Sequence, residues 1–103
     1  MANPKAIIAK HTTEAEFQAD IVAFAKAHGW MVYHTLDSRG SDPGFPDLVL
    51  VRAKLDGEAE CIFAELKSET GKVSVAQSEW ATALPNYRLW RPSMWDEIQR
   101  LLE

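Results

Sequence analysis

The sequence predicts an α/β domain, a mixed β-sheet flanked by helices with its elements in the order α-β-β-β-α-β-α. Three observations carry this prediction. Two S/T-x-x-E/Q patterns, at Thr13-Glu14-Ala15-Glu16 and Ser74-Val75-Ala76-Gln77, have the form of capping boxes and mark helix starts. Between them, residues 30–35, 47–52 and 60–67 form short runs rich in β-branched, aromatic and other apolar side chains. Residues 60–90 have the strand–helix–strand order of a crossover, which joins parallel strands, whereas Asp56-Gly57 signals an antiparallel hairpin.

Taken along the chain, residues 1–11 lack periodicity and contain Pro4, so an N-terminal tail is expected there and the domain over 12–103. From Thr13, apolar residues recur at three- and four-residue spacing (Phe17, Ile21, Phe24, Ala25), followed by His28, and Gly29 closes the helix. Residues 36–46 contain two each of Gly, Pro, Ser and Asp, and so long a loop is a candidate for function. After the strand at 47–52, Asp56-Gly57 predicts a tight turn of the primed kind. Residues 60–67 alternate, with Cys61, Phe63, Glu65 and Lys67 on one face and Ile62, Ala64 and Leu66 on the other. A second helix runs from Ser74 to about Leu84 and ends at Pro85-Asn86. A strand follows at 87–90, and then a helix capped by Ser93 with Trp95, Ile98, Leu101 and Leu102 as its apolar stripe.

Composition narrows the possibilities. At 103 residues and 47% hydrophobic content, with four Trp and four Phe, the chain is sized for one domain with its own core. Cys61 is the only cysteine, which excludes a disulfide framework and a zinc site of paired thiolates. No signal-like apolar stretch follows Met1 and no run is long enough to span a bilayer, so a cytoplasmic protein without a membrane partner is expected. The formal net charge of −4 argues against a protein that coats nucleic acid through its charge alone. A metal site, in contrast, needs carboxylates of its own, and a bound divalent ion reverses the local sign.

The charged residues fall where the strands would bring them together. Asp47 lies nine residues before Asp56 and Glu65 eight residues after Gly57, so a hairpin turned there makes them near cross-strand neighbours. Such pairs have Cβ atoms about 4.5–5.5 Å apart. Two carboxylates at that separation repel unless a cation lies between them, and a hard divalent cation such as Mg²⁺ suits one or two carboxylates plus waters and phosphate. Lys67, two residues beyond Glu65, projects from the same face, where an ammonium can orient a water or steady a phosphate.

The pattern Pro46-Asp47 followed by Glu65-Leu66-Lys67 resembles the PD-(D/E)xK nuclease superfamily. More narrowly, Gly44-Phe45-Pro46-Asp47-Leu48, Glu65-Leu66-Lys67 and the downstream Gln77 look like the VRR-NUC family, over most of the chain from about Thr13. The resemblance implies a restriction-endonuclease-like core and a Mg²⁺- or Mn²⁺-dependent DNA endonuclease, structure-specific in the manner of Holliday-junction resolvases and acting on branched DNA as a homodimer. It implies that Asp47, Glu65, the Leu66 carbonyl and Glu16 hold the metal, with Lys67 as the catalytic lysine and Gln77 in the same pocket. The alternative with this fold is a branched-DNA-binding module that does not cleave.

Several of these residues also have a plain structural reading. Glu16 closes the first capping box and Gln77 the second, and one side chain is not expected to serve both a cap and a site. Glu14 is the alternative acid on the first helix. Arg39 and Lys72 are candidate phosphate contacts, since both precede elements that carry the site. His34 stands at a strand end, where a structural role is the commoner one. Trp80, Trp90 and Trp95 are expected to pack rather than to stack on bases.

Overall fold

The computed structural model describes residues 3–35 and 42–103. Its elements are α1 (Pro4–His11), α2 (Glu14–Ala27), β1 (Met31–His34), β2 (Leu48–Ala53), β3 (Ala59–Leu66), α3 (Val75–Ala83), β4 (Tyr87–Trp90), a 3₁₀ turn (Pro92–Met94) and α4 (Trp95–Leu102). The strands form one mixed sheet in the order β1-β2-β3-β4, antiparallel at the first two pairings and parallel at β3–β4. The predicted α/β class, hairpin and crossover are all present. Arg39 and most of the loop before β2 lie outside the described residues.

The sheet is covered unequally. Leu48 and Leu50 of β2, Ile62, Ala64 and Leu66 of β3 and Trp90 of β4 pack with Phe17, Ile21 and Ala25 of α2 and with Ile98 and Leu102 of α4. Alternation along the strands sends these side chains to one face. The opposite face carries Val49, Val51, Cys61 and Phe63, which are only half-buried. A short strand that buries one face fully and the other in part needs apolar residues on both, as β2 has from Leu48 to Val51.

Three local expectations change. Residues 4–11, expected as a tail, form α1: the Asn3 side chain caps it by accepting from the Lys5 N–H, and Pro4 stands at its start. Ala9 is buried, and a Lys5–Asp96 ion pair joins α1 to α4. No periodicity marks a helix that buries so little of itself. The hairpin turn is also not of the primed kind. The Gly57 N–H donates to the Lys54 carbonyl and the Lys54 N–H to the Glu58 carbonyl, leaving a three-residue loop. Within this loop only Gly57 has positive φ (+89°), as in a type I turn closed by a left-handed residue. Finally, Ser93 does not cap the last helix. Pro92 opens a 3₁₀ turn, α4 starts at Trp95 without a side-chain cap, and the Ser93 N–H is taken by the Glu69 carboxylate.

Candidate active site

β2 and β3 bring Asp47 and Glu65 together as their spacing predicts. The register pairs Leu48 with Ala64, so Asp47, one step before, faces Glu65, one step after. Asp47 is held firmly: its Oδ2 accepts the Leu66 N–H at 2.8 Å. Glu65 is only 2% exposed, and its Oε2 finds no hydrogen-bond partner among the described residues. Burial and the adjacent Asp47 carboxyl push the Glu65 acid up to about 9 from 4.5; the Lys67 ammonium opposes the rise and the Glu14 carboxylate adds to it. Such a group is unfavourable as a buried anion unless a cation comes to it.

Gln77 meets Glu65 in a way the sequence reading did not allow for. Its Oε1 accepts the Ser74 N–H at 2.9 Å, completing the capping box of α3, while its Nε2 donates to Glu65 Oε1 at 3.2 Å. An amide carries an acceptor and donors on opposite sides, so one side chain both caps the helix and holds the carboxylate.

Glu16 behaves differently. Its Oε1 accepts from the Thr13 hydroxyl at 2.9 Å and from the Thr13 N–H at 3.4 Å, so it is spent on the cap of α2. The α2 acid whose charge reaches Glu65 is Glu14. This follows from helix geometry, since residues two apart point to different sides. Among the described residues no cluster of three or more His, Cys, Asp or Glu side chains forms a cage; the carboxylates brought together are Asp47 and Glu65.

The segment before Asp47 is fitted onto α3. Gly44 has φ +85°, and a Cβ there would lie 2.4 Å from the Ala76 carbonyl carbon and 2.7 Å from the Gln77 nitrogen. Only glycine permits this approach. Phe45 makes edge-to-face contacts with Phe63 and Trp80, and the Trp80 indole donates to the Pro43 carbonyl at 3.1 Å. Trp80 therefore anchors the Asp47 segment to α3. Pro46 is fully buried, and its carbonyl accepts from the Thr35 hydroxyl.

A family model for the VRR-NUC domain matches residues 5–88. The chain belongs to the VRR-NUC family. That makes it a nuclease-type domain, of a kind that acts on DNA and generally employs divalent metal ions. The match begins inside α1, eight residues before the Thr13 cap of α2. No curated protein and no solved structure matches the VRR-NUC chain.

Tyr87 is a neighbour of the site that the sequence reading missed. The parallel register sets it beside Phe63, on the face that carries Glu65, and burial together with the charges of Glu65 and Asp47 pushes its phenol pKa up. The register of a crossover depends on how the intervening helix packs, so spacing alone does not reveal it. His34 pairs with Gln18 at 3.1 Å, in keeping with a structural role. Lys72 is exposed. Trp90 is in the core and Trp95 packs against Phe24, as expected of both. Among the described residues, no helix is long and apolar enough to cross a membrane.

Proposed function

We propose that this protein is a Mg²⁺- or Mn²⁺-dependent DNA endonuclease that hydrolyses phosphodiester bonds in branched DNA, such as a four-way junction, as a homodimer. The observation that carries this reading is the buried Glu65 carboxylate, with one unpartnered oxygen and the Asp47 carboxylate beside it. This donor set fits a hard divalent cation, which takes oxygen ligands and commonly needs only one or two carboxylates besides waters and phosphate. Asp47, Glu65 and the Leu66 carbonyl would hold it, with Glu14 rather than Glu16 as the acid contributed by α2. When bound, the cation polarises the scissile phosphate and lowers the pKa of the attacking water.

The remaining chemistry falls to the chain's own side chains. The Leu66 N–H fixes the orientation of Asp47, and Gln77 fixes that of Glu65. The Lys67 ammonium, whose charge already bears on Glu65, orients the attacking water or meets the charge that builds on the phosphate. A homodimer follows from the substrate. Among the described residues one chain brings together one such carboxylate pair, and symmetric cleavage of a junction needs two sites.

The test is cleavage of a four-way junction and of a linear duplex by purified protein in Mg²⁺, Mn²⁺ or EDTA. Wild type should cut the junction at paired positions with metal and leave it intact in EDTA. Asp47→Ala, Glu65→Ala and Lys67→Ala should each lose about 100-fold or more in rate. Binding of the junction without cutting would replace the endonuclease with the non-cleaving module, and undiminished activity in Lys67→Ala would remove the lysine from the mechanism.

A further inference from the structure

Lys67 stands just beyond β3. Its N–H donates to the Trp90 carbonyl at 3.0 Å, and the chain then turns, with the Gly71 N–H donating to the Ser68 carbonyl at 3.2 Å. The turn lies against the lysine stem: a methyl group built on Gly71 would sit 3.4 Å from Lys67 Cδ. What fixes the turn comes from the residue just past the end of β4. Arg91 Nη1 donates to the Ser68 carbonyl at 2.7 Å and to the Glu69 carbonyl at 3.3 Å. The Glu69 carboxylate answers by accepting the Ser93 N–H at 3.1 Å. Among the described residues Arg91 forms no ion pair, so its half-buried guanidinium is committed to two backbone carbonyls rather than to a carboxylate.

From this arrangement we infer that Arg91 is a positioning residue for Lys67, acting through the 68–71 turn, with Glu69 as the second fastening. The catalytic consequence rests on the nuclease reading above. A lysine ammonium on a four-carbon stem is rotationally free unless its stem is packed. Here the packing surface is a turn with little regular structure of its own, and Arg91 Nη1 holds it at two adjacent carbonyls.

Two measurements test the inference, and only one depends on activity. In junction cleavage, Arg91→Ala should lower kcat about 10-fold while KM and the affinity for Mn²⁺ stay within about twofold, a pattern that marks lost alignment rather than lost binding. Arg91→Lys, whose ammonium can donate to both carbonyls but sits on a flexible stem without the planar guanidinium's fixed geometry, should recover part of the loss. In protein reductively methylated with ¹³C, the Lys67 dimethylamine signal, assigned with Lys67→Arg, should stand apart from those of exposed lysines in wild type. It should move among them in Arg91→Ala, and part of the way in Glu69→Ala, while the Lys54 signal stays in place. An unmoved Lys67 signal in Arg91→Ala would overturn the inference, as would a fall in kcat that merely tracks the folded fraction. Wild type that does not cleave would remove the nuclease reading alone, leaving the lysine signal to decide the coupling. Should Arg91→Ala fail to fold, Arg91→Lys and Glu69→Ala carry the same readout.

Discussion

Glu65 takes two carboxylate oxygens almost out of water, and among the described residues only Oε1 receives a donor there, from Gln77. Its pH dependence follows by linkage. With the acid raised from 4.5 to about 9 in the metal-free fold, the folded state keeps a proton that the unfolded chain releases, so this contribution to stability is fully present below 4.5 and is lost as pH rises toward 9. In EDTA, Tm should therefore fall between pH 5 and 9, by roughly 5 °C or more for a chain of this size. Glu65→Gln should flatten that fall, and saturating Mn²⁺ should suppress it in wild type only. A slope equally steep in Glu65→Gln would show that other groups cause it. The two roles of Gln77 separate in the same way. Gln77→Ala removes both the cap and the donor and should destabilise by about 1 kcal/mol in urea unfolding. Gln77→Glu keeps an acceptor for the Ser74 N–H but sets an anion against Glu65. Its stability deficit should shrink when Mn²⁺ is added, whereas that of Gln77→Ala should not shrink in the same proportion.

At the scale of elements, α3 locks together the pieces that carry the site. The Asp47 segment reaches it at Gly44 and through the Phe45–Trp80 contact, and the end of β3 reaches it through Gln77. Gly44→Ala introduces a Cβ within 3 Å of the α3 backbone at a positive φ, so nothing flexible is available to give way. Destabilisation of about 2–4 kcal/mol is expected, measured by urea unfolding, with loss of Mn²⁺ affinity as Asp47 is displaced. The other end of β2 is held separately. The Arg52 guanidinium pairs with Glu60 at 2.8 Å, donates to the His28, Leu102 and Glu103 carbonyls, and lies 4.4 Å from the Trp30 ring centroid. It thereby joins the ends of α2 and α4 to the hairpin. Arg52→Ala should lose about 2–4 kcal/mol, and Arg52→Lys most of that, since an ammonium cannot reproduce the fork. Five residues of strand, about 16 Å, separate Arg52 from Asp47, so cleavage per folded molecule should survive both changes.

The molecule as a whole divides its sheet between stability and chemistry. α2 and α4 seal one face, while the other is only half-buried; Asp47 and Glu65 lie on that second face, with Gln77 of α3 against Glu65. The net charge of −4 means that DNA is not drawn in by charge alone, and under the proposed function a cation held by the carboxylates would also serve as the bridge to phosphate. Binding to a four-way junction should therefore tighten at least about 10-fold from EDTA to Ca²⁺, an oxygen-seeking ion of the same charge. Asp47→Asn should lose most of that gain. Equal affinity in EDTA and Ca²⁺ in wild type would place the DNA contacts away from the carboxylates.

The two capped helices, the hairpin and crossover, the α/β class and the pairing of Asp47 with Glu65 are all legible in the order of residues. Each of these rests on local signals or on counting residues across one turn, and strand alternation then assigns faces without knowledge of the rest of the chain. Tertiary structure decided what spacing leaves open. It spent Glu16 on its own cap and left Glu14 as the α2 acid whose charge bears on Glu65, which depends on how α2 packs on the sheet. It let Gln77 serve cap and carboxylate together, which requires α3 to approach β3 from one particular side. Tyr87 beside the site and Arg91 beneath the Lys67 turn belong to the same class, for the register of β4 on β3 is set by a crossover helix whose docking is a property of the assembled core.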